Sequence, residues 1–223
     1  RDSARLEAGD KVVFFRIIWF FCQWWRAAGG TKLTENSENS SSIGKLIFTM
    51  DIYCFNLVLN ATDKFQEHKE HSSLAQAVAL LGEMMHLLFI MFSSKETTEQ
   101  VMALGLMERL FYNSEPLDRL PKLLSRWTPG TSTREYMCDL AEICYTTLKL
   151  LETNAKACQN VAVDKHDTVA KIKISAAQFD VSAYFARRIV SNQTVVAYTH
   201  LLSQYDVNAA VVNHRIMTFF RRL

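Results

Sequence analysis

Glycine and proline are scarce in this chain, and their scarcity bears directly on its fold class. Only 7 glycines and 3 prolines occur among 223 residues, well below ordinary usage. Because these two residues interrupt helices most strongly, a chain that is poor in them and rich in Leu, Ala, Met and Phe is expected to be almost entirely helical. No segment shows the sustained two-residue alternation of a half-buried strand. The sequence therefore predicts an all-α protein.

Motifs that carry catalysis are also missing. The chain has no glycine-rich phosphate loop, no GxSxG and no HExxH. Its 5 cysteines form no CxxC pair, which favours buried free thiols in a reducing compartment. His68 and His71 lie near two glutamates in a polar link, but no third anchored ligand accompanies them. We therefore expect a non-enzymatic protein without a metal site, a cofactor or a small-molecule substrate.

One segment concentrates large apolar residues. Residues 12–25 read VVFFRIIWFFCQWW and contain three of the 4 tryptophans. A helix that spans a bilayer needs about 20 mainly apolar residues, whereas Lys11 and Arg26 bracket only 14, and Arg16 and Gln23 interrupt them. The pattern favours a helix that packs between neighbouring helices. An interfacial membrane helix is the least favoured alternative, and it would show itself by liposome association.

Local signals place further helices along the chain. Leucine, valine, methionine and phenylalanine recur at helical spacing in one stripe: Leu74, Val78, Leu81, Met85, Leu88 and Phe92. Phe179 and Asp180 have the pattern of a hydrophobic staple followed by an N-cap, with Phe179 facing Tyr184. Ser132 and Glu135 are spaced as a capping box at the start of a long helix.

Several of these helices are apolar on more than one face, which bears on the architecture. Helices covered on two sides suit the stacked helix pairs of an α-solenoid of the armadillo or HEAT type. We predict a single helical solenoid over residues 1–223, with a mobile loop at 29–43 and an irregular segment at 159–178. A compact helical bundle is the alternative architecture, because the sequence has no strict period.

Basic residues are concentrated towards the C-terminal part of the chain. From Lys156 onwards, nine Lys or Arg face four Asp, although the net charge of the whole chain is only +2. Cationic side chains on helix ends and loops can follow a phosphate backbone without reading its sequence. The candidates for phosphate contact are Lys171, Lys173, Arg187, Arg188, Arg215, Arg221 and Arg222. Scattered surface charge without a ligand is the plainer alternative.

Tryptophans are the candidates for a protein interface, since aromatic side chains often anchor partners. Trp24 and Trp25 directly precede the predicted mobile loop, and Trp127 opens a Thr-Pro-Gly turn. If one of these side chains reaches the surface, a protein partner is expected there rather than a nucleic-acid base.

Three ordered segments resemble the Timeless family, the large subunit of the replication fork protection complex. They are residues 14–26 (FFRIIWFFCQWWR), residues 140–152 (LAEICYTTLKLLE), and a C-terminal run formed by 179–185 (FDVSAYF), 195–202 (VVAYTHLL) and 213–223 (NHRIMTFFRRL). The second segment is similar to the family's leucine-rich helix, which ends in a Leu-Lys-x-Leu-Glu element. None of the three is a catalytic signature, so they indicate a fold and a family.

The resemblance implies an armadillo-like scaffold in the nucleus. It implies a heterodimer with the small subunit Tipin, riding in front of the replicative helicase and gripping double-stranded DNA without sequence specificity. Such a complex would stabilise replication forks and support checkpoint signalling in the DNA damage response. The alternative is an armadillo-type protein-interaction module without DNA contact, and charge reversal at the basic residues would separate the two.

Overall fold

The computed structural model describes residues 8–27, 50–112, 116–159 and 179–223. Within these ranges the chain forms nine α-helices and no β-strand, so the prediction of an all-α protein is confirmed. The predicted mobile loop at 29–43 lies outside the described residues. So does the predicted irregular segment at 159–178, apart from Gln159, which ends a helix.

The helices are labelled in chain order. They are α1 (Ala8–Trp25), α2 (Ile52–Glu67), α3 (His71–Phe92), α4 (Thr97–Met107), α5 (Pro116–Ser125), α6 (Arg134–Gln159), α7 (Val181–Tyr184), α8 (Asn192–Leu202) and α9 (Ala210–Phe220). Short π-helical turns follow α4 and α7, at Glu108–Tyr112 and Phe185–Ile189. The chain divides into two compact units, unit 1 (Arg1–Gln100) and unit 2 (Val101–Leu223). The continuous solenoid stays a prediction.

The N-terminus of α7 has the cap that its sequence predicts. The Asp180 side chain accepts a hydrogen bond from the backbone N–H of Ala183 at 2.9 Å, which satisfies one of the unpaired donors of the first turn. The rings of Phe179 and Tyr184 lie 5.8 Å apart. The predicted N-cap and the predicted staple contact are both confirmed.

The cap of α6 lies one residue later than the capping-box spacing predicts. Thr133, rather than Ser132, accepts the hydrogen bond from the backbone N–H of Tyr136, at 3.2 Å. Glu135 is therefore the second residue of the helix, where it hydrogen-bonds its own backbone N–H and the guanidinium of Arg134. These two contacts, the backbone one first, lower the pKa of the Glu135 carboxyl.

Unit 1 is built around α3, against which both α1 and α2 pack. Glu83 lies in the middle of α3 and is buried, yet α1 and the residue after it supply two polar partners. Gln23 donates a hydrogen bond to Glu83 Oε1 at 3.3 Å, and Arg26 Nη1 lies 3.3 Å from Glu83 Oε2 as an ion pair. These contacts connect α1 to α3 and partly offset the cost of burying the carboxylate, although Glu83 Oε2 has the ion pair and no hydrogen bond among the described residues.

Helix α3 is long and apolar enough to cross a membrane by length and composition alone, and it is the one such helix among the described residues. Its most apolar window is 61% buried inside the structure. The central helix of a soluble protein has the same properties.

Unit 2 is built around α6, which packs against α5, α7, α8 and α9. An aromatic cluster lies in its core. The rings of Tyr198 and Phe219 are stacked, with their centroids 3.8 Å apart. The ring of Phe185 contacts that of Phe219 edge-on, with a centroid distance of 5.4 Å. The hydroxyl of Tyr184 donates a hydrogen bond to the carbonyl of Leu117 at 2.7 Å and so joins α7 to α5. Burial of these aromatic side chains contributes to the stability of this unit together with its many buried aliphatic residues.

Candidate functional site

Two of the arginines proposed to contact phosphate are engaged in ion pairs between α9 and α6. Arg215 binds Glu142 through two parallel hydrogen bonds, each of 2.7 Å. Arg222 lies just beyond the end of α9 and also binds Glu152 in a bidentate way, through two hydrogen bonds, one of which is 3.0 Å long. Bidentate pairs of this kind fix geometry as well as charge. We call these two pairs the α6–α9 clamp.

The other basic candidates differ in their availability. Arg188 forms an ion pair with Asp118 at 2.8 Å in which both side chains are largely exposed. Arg187 and Arg221 are exposed, and within the described ranges no carboxylate is paired with either of them. Lys171 and Lys173 lie outside the described residues. Arg187 and Arg221 are therefore the candidates that can meet an anion without first releasing a carboxylate of the described part of the chain.

The three candidate tryptophans fall into two groups. Trp24 is 59% exposed, whereas Trp25 and Trp127 are buried. The ring of Trp127 lies 5.3 Å from that of His200, and the indole N–H groups of both buried tryptophans have no acceptor in the described part of the chain. Burial assigns Trp25 to the core of unit 1 and Trp127 to the core of unit 2. Trp24 is the candidate that a partner can reach.

Trp24 belongs to a wider apolar surface on α1. Helix α1 buries one side, which contains Phe15, Ile18, Cys22 and Trp25, in unit 1. The opposite side carries six exposed large apolar residues: Val13, Phe14, Ile17, Phe20, Phe21 and Trp24. We call this surface the open face of α1. The sequence predicts a helix covered on more than one side, and among the described residues only the α3 side is covered.

A small apolar notch next to the α6–α9 clamp has no evident chemistry. It is lined by the rings of Tyr145 and Tyr198, the thiol of Cys144 and the two arginines of the clamp. Burial raises the pKa of the Cys144 thiol to about 11, and burial also raises the pKa of the Tyr198 hydroxyl. A thiol held in its protonated form is a poor nucleophile. These groups therefore act as parts of the core.

The carboxylates of the clamp are contacts of the candidate arginines that the sequence did not predict. The sequence places Glu142 and Glu152 only within a leucine-rich helix, and their partners lie 73 and 70 residues further along the chain. One weak signal for these two acids is present. Both lie on the partly exposed side of a helix that is otherwise buried. Single-sequence spacing rules extend over only a few residues, so they could not identify which arginine pairs with which acid.

Comparisons with known proteins do not identify a family. No family model matches the chain, and no curated protein matches it. The resemblance to the Timeless family therefore depends on the three sequence segments alone.

Proposed function

We propose that this chain is a non-enzymatic helical scaffold of the Timeless type, which acts at replication forks in the nucleus. Its helices would stack as an armadillo-like solenoid. Its exposed surfaces would bind a Tipin-like small subunit, subunits of the replicative helicase and double-stranded DNA. Through these contacts the scaffold would stabilise the fork and support checkpoint signalling.

The α6–α9 clamp is the observation that carries this proposal. Each of its acids belongs to the segment that resembles the family's leucine-rich helix, and Glu152 is the last residue of the Leu-Lys-x-Leu-Glu element. Each of its arginines belongs to the C-terminal run that resembles the same family. Two of the segments that resemble the family therefore meet in bidentate ion pairs within unit 2.

The DNA-binding part of the proposal depends on a smaller set of cations than the sequence suggests. Arg187 follows α7 and Arg221 follows α9, so both lie on exposed helix ends where a phosphate can approach. Contacts of this type give affinity without sequence preference and weaken steeply as salt rises. Lys171 and Lys173, which lie outside the described residues, stay candidates from the sequence alone.

A second candidate is supported by the ion pairs themselves. Arg188, Arg215 and Arg222 hold carboxylates, and an arginine that is engaged in this way must release its partner before it can bind phosphate. This observation favours an armadillo-type module that binds proteins and does not contact DNA.

Duplex binding of the whole chain, co-expressed with a Tipin-like small subunit, separates the two candidates. The test variant is the double charge reversal Arg187→Glu with Arg221→Glu, and the control is Lys95→Glu, an exposed cation of unit 1. The scaffold should bind DNA with a log–log salt slope that falls by about one for each lost contact in the test variant. The control should leave the slope unchanged.

The outcomes of this binding experiment distinguish the DNA-binding scaffold from the protein-interaction module. Small-subunit binding without measurable duplex binding at about 50 mM salt supports the protein-interaction module. Equal slopes for the native chain and the double variant would remove these two arginines from the proposed interface. Failure to bind the small subunit would contradict the Timeless-type scaffold itself.

A further inference from the structure

The open face of α1 is a continuous apolar surface on one side of a single helix. Its six residues follow the i, i+3, i+4, i+7 spacing that places side chains on one helical face. Four of them are aromatic, and each is between 38% and 59% exposed. No charged side chain lies on this face between Val13 and Trp24. Arg16 lies at its edge, where its Nε donates a hydrogen bond to Gln76 of α3 at 3.3 Å.

The area of this face is large for a surface exposed to water. Since an aromatic side chain offers roughly 200 Å² and these four expose about half of theirs, the face with its two aliphatic residues presents about 600 Å². A contiguous apolar patch of that size marks an interaction site more often than a solvated surface. Two copies of the face packed together would bury about 1,200 Å² in total, which reaches the range of specific protein interfaces.

The face is also complementary to itself when two α1 helices run antiparallel. In one such register Val13 of one copy lies opposite Trp24 of the other, and Ile17 lies opposite Phe20. Each small or branched side chain then meets a large flat one, which is the alternation that lets two helix surfaces interdigitate. A two-fold axis produces each of these contacts twice, as in most symmetric dimers.

We propose that the open face of α1 is a homodimer interface, in which α1 of unit 1 packs antiparallel against α1 of a second copy of this chain. The occupant is a second copy because the face itself supplies the complementary surface. This inference does not depend on the proposed scaffold function, since it concerns unit 1 and requires neither DNA nor a small subunit.

Sedimentation of the full chain over a concentration series, from about 1 to about 100 µM, tests the dimer. We expect a monomer–dimer equilibrium that Phe20→Asp weakens at least tenfold, because a carboxylate would be buried twice against apolar surface. The matched control is Val211→Asp, which adds the same charge to an apolar residue of α9 with similar exposure. It should leave the equilibrium unchanged, and circular dichroism should show both variants to be as helical as the native chain.

Thiol crosslinking tests the antiparallel register separately. A mixture of Val13→Cys chains and Trp24→Cys chains should crosslink with a short bis-maleimide, and peptide mapping should locate the link between the two introduced thiols. Chains that carry Val13→Cys alone should not crosslink at this position, because the two introduced thiols would lie about 16 Å apart along the helix axis.

Several outcomes would overturn the proposal. A chain that stays monomeric at about 100 µM has no such interface. Equal weakening by Val211→Asp would assign the association to another surface. Efficient crosslinking between two Val13→Cys chains at the introduced thiols would exclude the antiparallel register. If the chain is monomeric and instead sediments with vesicles of phosphatidylcholine and phosphatidylserine in a manner abolished by Phe20→Asp, the open face binds lipid rather than a second copy.

Discussion

Breaking the ion pair between Arg215 and Glu142 should destabilise unit 2 far more than breaking the pair between Arg188 and Asp118. The first pair has two hydrogen bonds of 2.7 Å, and its side chains are 13% and 25% exposed. The second has one contact of 2.8 Å, with side chains 57% and 41% exposed. A hydrogen bond to a charged group contributes about 1.5–3 kcal/mol, whereas an exposed pair contributes about 0–1 kcal/mol. After allowance for partial exposure, we expect coupling energies of about 2 kcal/mol and below about 0.5 kcal/mol respectively.

Two double-mutant cycles measure these energies. One uses Glu142→Gln and Arg215→Gln, the other Asp118→Asn and Arg188→Gln, each with its double variant. Urea unfolding followed by circular dichroism gives the free energies of unfolding, and hydrogen exchange of the α9 amides restricts the comparison to unit 2. Salt should weaken the exposed pair first. If the two coupling energies are equal, the clamp does not hold α9 on α6 and the reasoning is wrong.

Three further predictions concern the core of unit 2. Because burial raises the pKa of Cys144 to about 11, iodoacetamide at pH 8 should modify Cys144 in the native chain far more slowly than in urea, and comparable rates by mass spectrometry would contradict its burial. Since this folded pKa lies above the unfolded one, the stability contributed by Cys144 is complete below about pH 8.5 and is lost as the pH rises towards 11. Phe219→Ala removes a ring that stacks on Tyr198 and should lower the free energy of unfolding by about 3–5 kcal/mol. A loss below about 1 kcal/mol in the same urea assay would mean that the stack does not close the core.

The helical class of this protein was predictable because it depends on local chemistry. Scarce glycine and proline leave few places where a helix must stop, and apolar stripes show where helices run. The N-cap of α7 was predictable for the same reason, since Asp180 and the N–H that it accepts from lie within three residues. The capping-box spacing places the cap of α6 one residue early, because Ser132 and Thr133 are both good cap residues. Their local sequence does not determine which of them begins the helix.

The candidate site was less predictable, because its partners are distant in sequence. The composition of the C-terminal part identifies its arginines, but not which of them fold against an acid. Arg187 and Arg188 are adjacent, yet one is exposed without a carboxylate among the described residues and the other holds Asp118, 70 residues earlier. The buried Glu83 shows the same limit, since its partners Gln23 and Arg26 lie in a distant segment of the chain. Tertiary packing decides these pairings.

The apolar pattern of helix α1 predicted only part of how this helix packs. Its segment is expected to be covered on more than one side, and burial of Phe15, Cys22 and Trp25 agrees with cover on one side. A hydrophobic pattern reports that a face must leave water, but it does not report whether the cover comes from the same chain or from another molecule. The exposed aromatic residues opposite α3 are the part of the pattern that packing among the described residues does not explain.

The two roles considered for the arginines compete, and this competition can be measured. An arginine of the clamp can bind phosphate only after it leaves its carboxylate. The free energy gained from its phosphate contact would therefore be reduced by the free energy lost when the ion pair breaks. Replacing Arg215 should therefore lower the stability of unit 2 and have little direct effect on DNA affinity. Replacing the exposed Arg187 should lower DNA affinity and leave stability within about 0.5 kcal/mol. If Arg215→Gln instead weakens DNA binding as strongly as Arg187→Gln does while unit 2 remains equally stable, the clamp opens on DNA and its arginines belong to the interface.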